Sequence, residues 1–251
     1  AFDQELRDYK SKTINFIRIS DKSPDIRSQI TVTKLETAYD TILMPLSHLR
    51  SGPSKEDAKD SVATIREEVR KFPNSLFAKR ASALTDVWYG DLGVARTQLD
   101  ALLVVDAQGP ETLHLSGLCD LRAGYAADDA DLIKKARKSF ALAQKIEETR
   151  SASLFRYVEC LFYETNDVTP HMLDVLVLAF NQSPQVDMIS LVTAQALMVN
   201  KRFEEASYIL QPMVGELHSR GRAQVAAQLL EAAKAERTDY FAFFGSAKDA
   251  D

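Results

Sequence analysis

The feature that most constrains this chain is a recurrence of small residues within helix-like stretches. Ala83 and Ala95 lie twelve residues apart, with a Gly90-Asp91 turn between them. Two antiparallel helices joined by a short turn approach closely where neither carries a large side chain, so small pairs at this spacing predict a helical hairpin. The next small residue on a first helix is Gly117. Its second helix carries Ala136, Phe140 and Ala143, and the separation of Gly117 from Ala136 exceeds that of the first pair by two helical turns. The surplus falls in the polar stretch 124–131, which reads as an extended turn. Cys160 takes the small position of a third unit. That unit's second helix starts at Thr169-Pro170, with Thr as N-cap and Pro in the first turn, and runs through Leu173, Leu176 and Ala179. Ala194 follows Cys160 at the same interval that separates Gly117 from Ala83, and Ala206 follows Ala194 by twelve. A repeat of this length predicts stacked helix pairs, each covering its neighbour's apolar face.

Residues 219–236 read as one further amphipathic helix, with Val225, Leu229, Leu230 and Ala233 on its apolar side, suited to capping the last pair. Residues 1–54 do not follow the repeat. The alternation in residues 13–19, and again in 30–33, reads as short strands. This divides the chain into an N-terminal connector with one or two strands (1–54), a repeat domain (55–237) and an aromatic tail (238–251). The tail holds Tyr240, Phe241, Phe243 and Phe244. These either fold back on the capping helix or anchor the chain in a partner or a second copy.

The anchors Ala83–Ala95, Gly117–Ala136, Cys160 and Ala194–Ala206, with the A-x3-F-x2-A pattern at Ala136-Phe140-Ala143, resemble the tetratricopeptide-repeat (TPR) family over about residues 55–236. The resemblance implies an all-α solenoid of about four helix pairs plus a capping helix, with a short irregular or β segment before it. It also implies a groove lined mainly by first helices, which holds a protein or peptide. Arg80, His114 and Tyr157 fall near that groove and, with the four tail aromatics, are the candidate partner-binding residues. The Lys–Asn pairing by which one TPR subclass clamps a terminal carboxylate is missing. The run Leu43 to Gly52 and the closing run Phe203 to Pro212 are similar to the C-terminal halves of uncharacterised proteobacterial proteins, in which a peptidase-like domain precedes degenerate repeats. This resemblance implies an alternative role as the non-catalytic, regulatory or substrate-holding half of a larger bacterial protein. Export to the periplasm would follow if a signal peptide had been removed upstream.

Chemistry has few handholds. His48, His114, His171 and His218 form no H-E-x-x-H helix, and neither a G-x-S-x-G elbow nor a phosphate-binding glycine loop occurs. Asp128, Asp129 and Asp131 lack the rest of a calcium loop. Cys119 and Cys160 sit in apolar helical runs, where a buried thiol is the simplest reading. The expectation is therefore no catalytic residues, no cofactor and no metal. A net charge of −5 argues against nucleic acid as partner, and the short basic cluster Lys134, Lys135, Arg137 and Lys138 reads as a solvated helix face. No run of apolar residues is long enough to span a membrane. A homo-oligomer joined through the tail or the strands is the remaining expectation for assembly.

Overall fold

Helix-forming residues punctuated by capping residues account for every element of the computed structural model, which describes residues 35–215 and 220–238. The described residues are all-α. Eleven α-helices follow one another: α1 (Ala38–Arg50), α2 (Lys55–Lys71), α3 (Leu76–Tyr89), α4 (Leu92–Val105), α5 (Pro110–Ala127), α6 (Ala130–Ile146), α7 (Ser151–Thr165), α8 (Pro170–Gln182), α9 (Asp187–Val199), α10 (Phe203–Leu210) and α11 (Arg220–Lys234). The starts are chemically marked. Ser54, Ser75, Asp91, Asp129 and Thr169 each accept a first-turn backbone N–H, satisfying donors that a helix leaves open.

Each helix packs against the next in sequence, and odd-numbered helices also touch across the intervening one: α1 with α3, α3 with α5, α5 with α7, and α9 with α11. This explains an alternation in burial. Eleven of the 18 residues of α5 are buried, and nine of the 13 of α9. Only four of the 17 residues of α6 are buried, and four of the 13 of α8. Odd helices are covered on several sides, whereas even helices bury one stripe.

The small residues of the expected pairs are buried. Ala83, Cys160 and Ala194 are fully buried, as are Ala95, Ala136, Ala179 and Ala206. Gly117 is buried too, and a Cβ placed on it would stand 2.7 Å from the Phe140 ring. That is closer than two carbons can sit, so α5 and α6 approach at a distance that only glycine permits here.

Three expectations need correction or limits. First, 124–131 is not an extended turn. Helix α5 continues to Ala127 and α6 begins at Ala130, leaving Asp128 as a left-handed C-cap and Asp129 as the N-cap. The surplus residues lengthen the two helices to 18 and 17 residues, against 14 each in α3 and α4. Adding about one turn of 3.6 residues to each arm keeps the facing stripes in phase, so the hairpin grows without losing register. Second, the stretch before residue 55 is not wholly connector. Helix α1 buries Ala38, Ile42, Leu46 and Leu49, and Tyr39 stacks on Phe77 of α3 with ring centroids 3.7 Å apart. The compact unit begins at Glu36. Third, the strands expected at 13–19 and 30–33 and the aromatic tail lie outside the described residues.

The buried apolar side chains form two clusters. One spans α1 to α6 and includes Cys160, and the other spans α7 to α11. Tyr157 packs against both, so α7 is where the two halves of the core meet.

Candidate partner-binding face

Carboxylates on odd helices are clamped by cations and amides from the even helices on either side. Asp86 of α3 accepts from Arg66 of α2 and Gln98 of α4, both at 2.9 Å. Asp120 of α5 accepts from Arg96 of α4 at 2.9 Å and Lys135 of α6 at 3.3 Å. Both carboxylates are buried and stand apart by the same interval as Ala83 and Gly117, so the device repeats with the fold. A third tie joins more distant elements. Glu111 at the start of α5 receives Arg50 of α1 and Arg150 ahead of α7, each at 2.7 Å. Burial raises the Glu111 pKa, but the two arginines outweigh it and hold the carboxyl below its usual range.

This network decides the fate of two candidates. Arg80 donates through Nη2 to Asp106 at 2.5 Å and through Nε to Thr112 at 3.0 Å, so it ties α3 to the turn after α4 and to the first turn of α5. His114 is buried, with Nδ1 2.9 Å from Ser153 Oγ and its ring tilted against Phe140. Burial pushes its pKa down to about 3, which keeps the ring neutral at ordinary pH. Within the fold, then, Arg80 is a half-buried tie and His114 a buried packing residue. Tyr157 remains half-buried at the core junction, edge-on to His171. Tyr240, Phe241, Phe243 and Phe244 lie outside the described residues.

The basic cluster on α6 is also engaged. Lys134 meets Asp131, Lys135 meets Asp120, and Arg137 meets Glu164. Cys119 and Cys160 are both free and buried, and burial raises both thiol pKa values. Among the described residues no group of three or more His, Cys, Asp or Glu side chains is arranged to hold a metal ion, and no helix is long and apolar enough to cross a membrane.

A different constellation stands out on three successive odd helices. Trp88 near the end of α3, Arg122 of α5 and Arg156 of α7 follow one another at the repeat interval and are all half-buried. The Arg122 guanidinium lies over the Trp88 ring at 4.6 Å from its centroid, and that of Arg156 at 5.8 Å. A cation over the negative face of an indole is held by the ring quadrupole. Arg156 has a carboxylate, Glu159, at 2.5 Å, and Tyr125 of α5 donates to the other oxygen of that carboxylate. Arg122 has no carboxylate among the described residues, and its Nε is buried without a hydrogen-bond partner. Burial, then the neighbouring Arg156 charge, lower its pKa. A guanidinium nevertheless stays protonated, so the row carries a fixed positive charge with one buried donor unused. The even spacing of Trp88, Arg122 and Arg156 is the one signal in the sequence that could have found this row.

No protein-family model matches the chain, and no curated protein or solved structure matches it.

Proposed function

We propose that this chain is a TPR-like α-solenoid that holds a protein or peptide partner on the face carried by its odd-numbered helices. The observation that carries the reading is the row Trp88, Arg122 and Arg156, which runs across α3, α5 and α7 and leaves a half-buried arginine without a counter-ion among the described residues. Aromatic and arginine side chains supply most of the energy where proteins bind one another. Half-burial both orders them and strengthens their electrostatics. The odd helices suit such a role because α1, α3, α5 and α7 touch one another in series, so side chains from consecutive helices fall along one track. Such a track is rigid, because ordering costs have been met in folding and not in binding.

The test is site-specific photo-crosslinking in cells that express the chain natively. A photoreactive residue is placed at Ala126 of α5 or Ala152 of α7, both exposed and one helical turn from Arg122 and Arg156. Matched positions on even helices are Val104 of α4 and Leu142 of α6, also exposed. The expected result is a discrete adduct from 126 and 152 and none from 104 and 142. Adducts concentrated at 104 and 142 would remove the odd-helix face as the binding surface. An adduct at twice the chain's own mass would replace the foreign partner with a second copy.

A further inference from the structure

We infer that the row takes one carboxylate side chain, an Asp or Glu within a partner peptide, with Arg122 as its counter-ion. This rests on the scaffold reading above and names the chemistry of its partner.

The case begins with a comparison inside the molecule. The other half-buried arginines among the described residues are Arg80, Arg96, Arg137, Arg150 and Arg156, and each touches a carboxylate. Arg122 is the exception. A half-buried cation without an anion is less favourable than a paired one, since desolvation weakens its hydration and the Trp88 ring offsets only part of that loss. An anion from outside would complete its pairing. Trp88 covers one face of the guanidinium. Stacking of that kind leaves the edge, where the N–H groups point, open to hydrogen bonding.

The charge count selects the anion. Arg156 is balanced by Glu159, so the row has one uncompensated positive charge. One carboxylate neutralises it. A phosphate ester carries about −1.5 to −2 at neutral pH, which would leave excess negative charge beside the Glu159 carboxylate. The site therefore favours a monoanion. Trp88, which is half-buried, supplies apolar surface beside the charge, so the acidic residue would be flanked by apolar ones.

The experiment uses the full chain and a phage-displayed library of random dodecapeptides without free C-termini. Wild-type chain should enrich peptides that share an Asp or Glu at one position beside apolar residues, and Arg122→Gln should not. A selected peptide is then made with an amidated C-terminus, with the shared acid changed to its amide, and with that acid replaced by phosphoserine. Binding is read by fluorescence anisotropy. Loss of one charge-assisted hydrogen bond predicts about ten- to hundredfold weaker binding for Arg122→Gln. The same loss is expected for the amide peptide, with little further loss when both changes are combined. Arg156→Gln should weaken binding less, because its charge is already paired. Circular dichroism melting checks that each variant is folded, and Arg122→Lys should retain part of the affinity. An enriched peptide that binds wild type and Arg122→Gln equally removes the carboxylate site and leaves the scaffold reading standing. Tighter binding of the phosphoserine peptide removes the monoanion preference and overturns the proposal. Failure to enrich any peptide counts against the scaffold reading and this inference together.

Discussion

Replacing Gly117 by Ala adds a single methyl group at the closest approach of α5 and α6. The added Cβ would lie 2.7 Å from Cε1 of Phe140, and 2.9 Å from both Cδ1 and Cζ. Phe140 is fully buried, so its ring can move aside only by displacing core neighbours. Overpacking of this kind costs about 1–3 kcal/mol. Alanine's higher helix propensity returns about 0.8–1 kcal/mol, so the net destabilisation is up to about 2 kcal/mol. In a chain of this size that lowers Tm by roughly 4–8 °C at the upper limit. Gly221 in α11 is the control, because nothing lies within 4 Å of a Cβ there, and Gly221→Ala should leave Tm unchanged or raise it. Adding Phe140→Leu to Gly117→Ala should recover part of the loss, whereas Phe140→Leu alone should destabilise. Thermal melts followed by circular dichroism in the far ultraviolet measure all four. A Gly117→Ala variant that gains as much stability as Gly221→Ala would refute the claim that close approach, not chance, put glycine at this place in the repeat.

Removing the Asp120 carboxylate should have a comparable or larger effect. Asp120→Ala leaves Arg96 and Lys135 without their shared acceptor and should cost about 2–3 kcal/mol in urea unfolding. The buried His114 predicts an acid sensitivity. Its folded pKa of about 3 lies below the usual value near 6.5, so the unfolded chain binds a proton across that interval and the folded chain does not. Stability should therefore fall as pH drops from about 6.5 towards 3, by up to about 1.4 kcal/mol per unit from this group. His114→Asn should flatten that slope in urea melts taken between pH 4 and 7, and an unchanged slope would contradict the assignment. Cys119 and Cys160, buried and with raised pKa values, should react with a disulfide reagent only at the rate of unfolding. Rapid labelling of the folded chain would show that either thiol is accessible.

The helix pairs are legible in the sequence because their signals are local. Gly90-Asp91 and Thr169-Pro170 mark a turn and a helix start through backbone chemistry alone, and small residues at twelve-residue spacing report a contact within one hairpin. Helix α1 escapes such a reading although Ala38, Ile42, Leu46 and Leu49 follow helical spacing. Pro45 stands inside that helix and reads as a breaker, and tertiary packing on α2 and α3 outweighs it. The acidic stretch 124–131 reads as a turn because its Gly and Asp residues favour one. Gly124 instead serves contact, since a Cβ there would meet Ile133 at 2.7 Å. The site residues are harder. Arg80, His114 and Tyr157 stand out by their place on first helices, but sequence does not reveal that Asp106 and Thr112 engage Arg80 or that Ser153 faces His114. Which residues of consecutive helices share a face depends on how each pair is rotated against the next. Trp88, Arg122 and Arg156 meet for that reason.

Hydrogen–deuterium exchange of the full chain, with and without the selected acidic peptide, probes most directly where a partner sits. Slower exchange should appear in the peptic fragments covering the ends of α3 and α5 and the start of α7, and should vanish in Arg122→Gln. Slowing confined to α2, α4 and α6 would contradict the account, because the partner would then ride on the opposite set of helices.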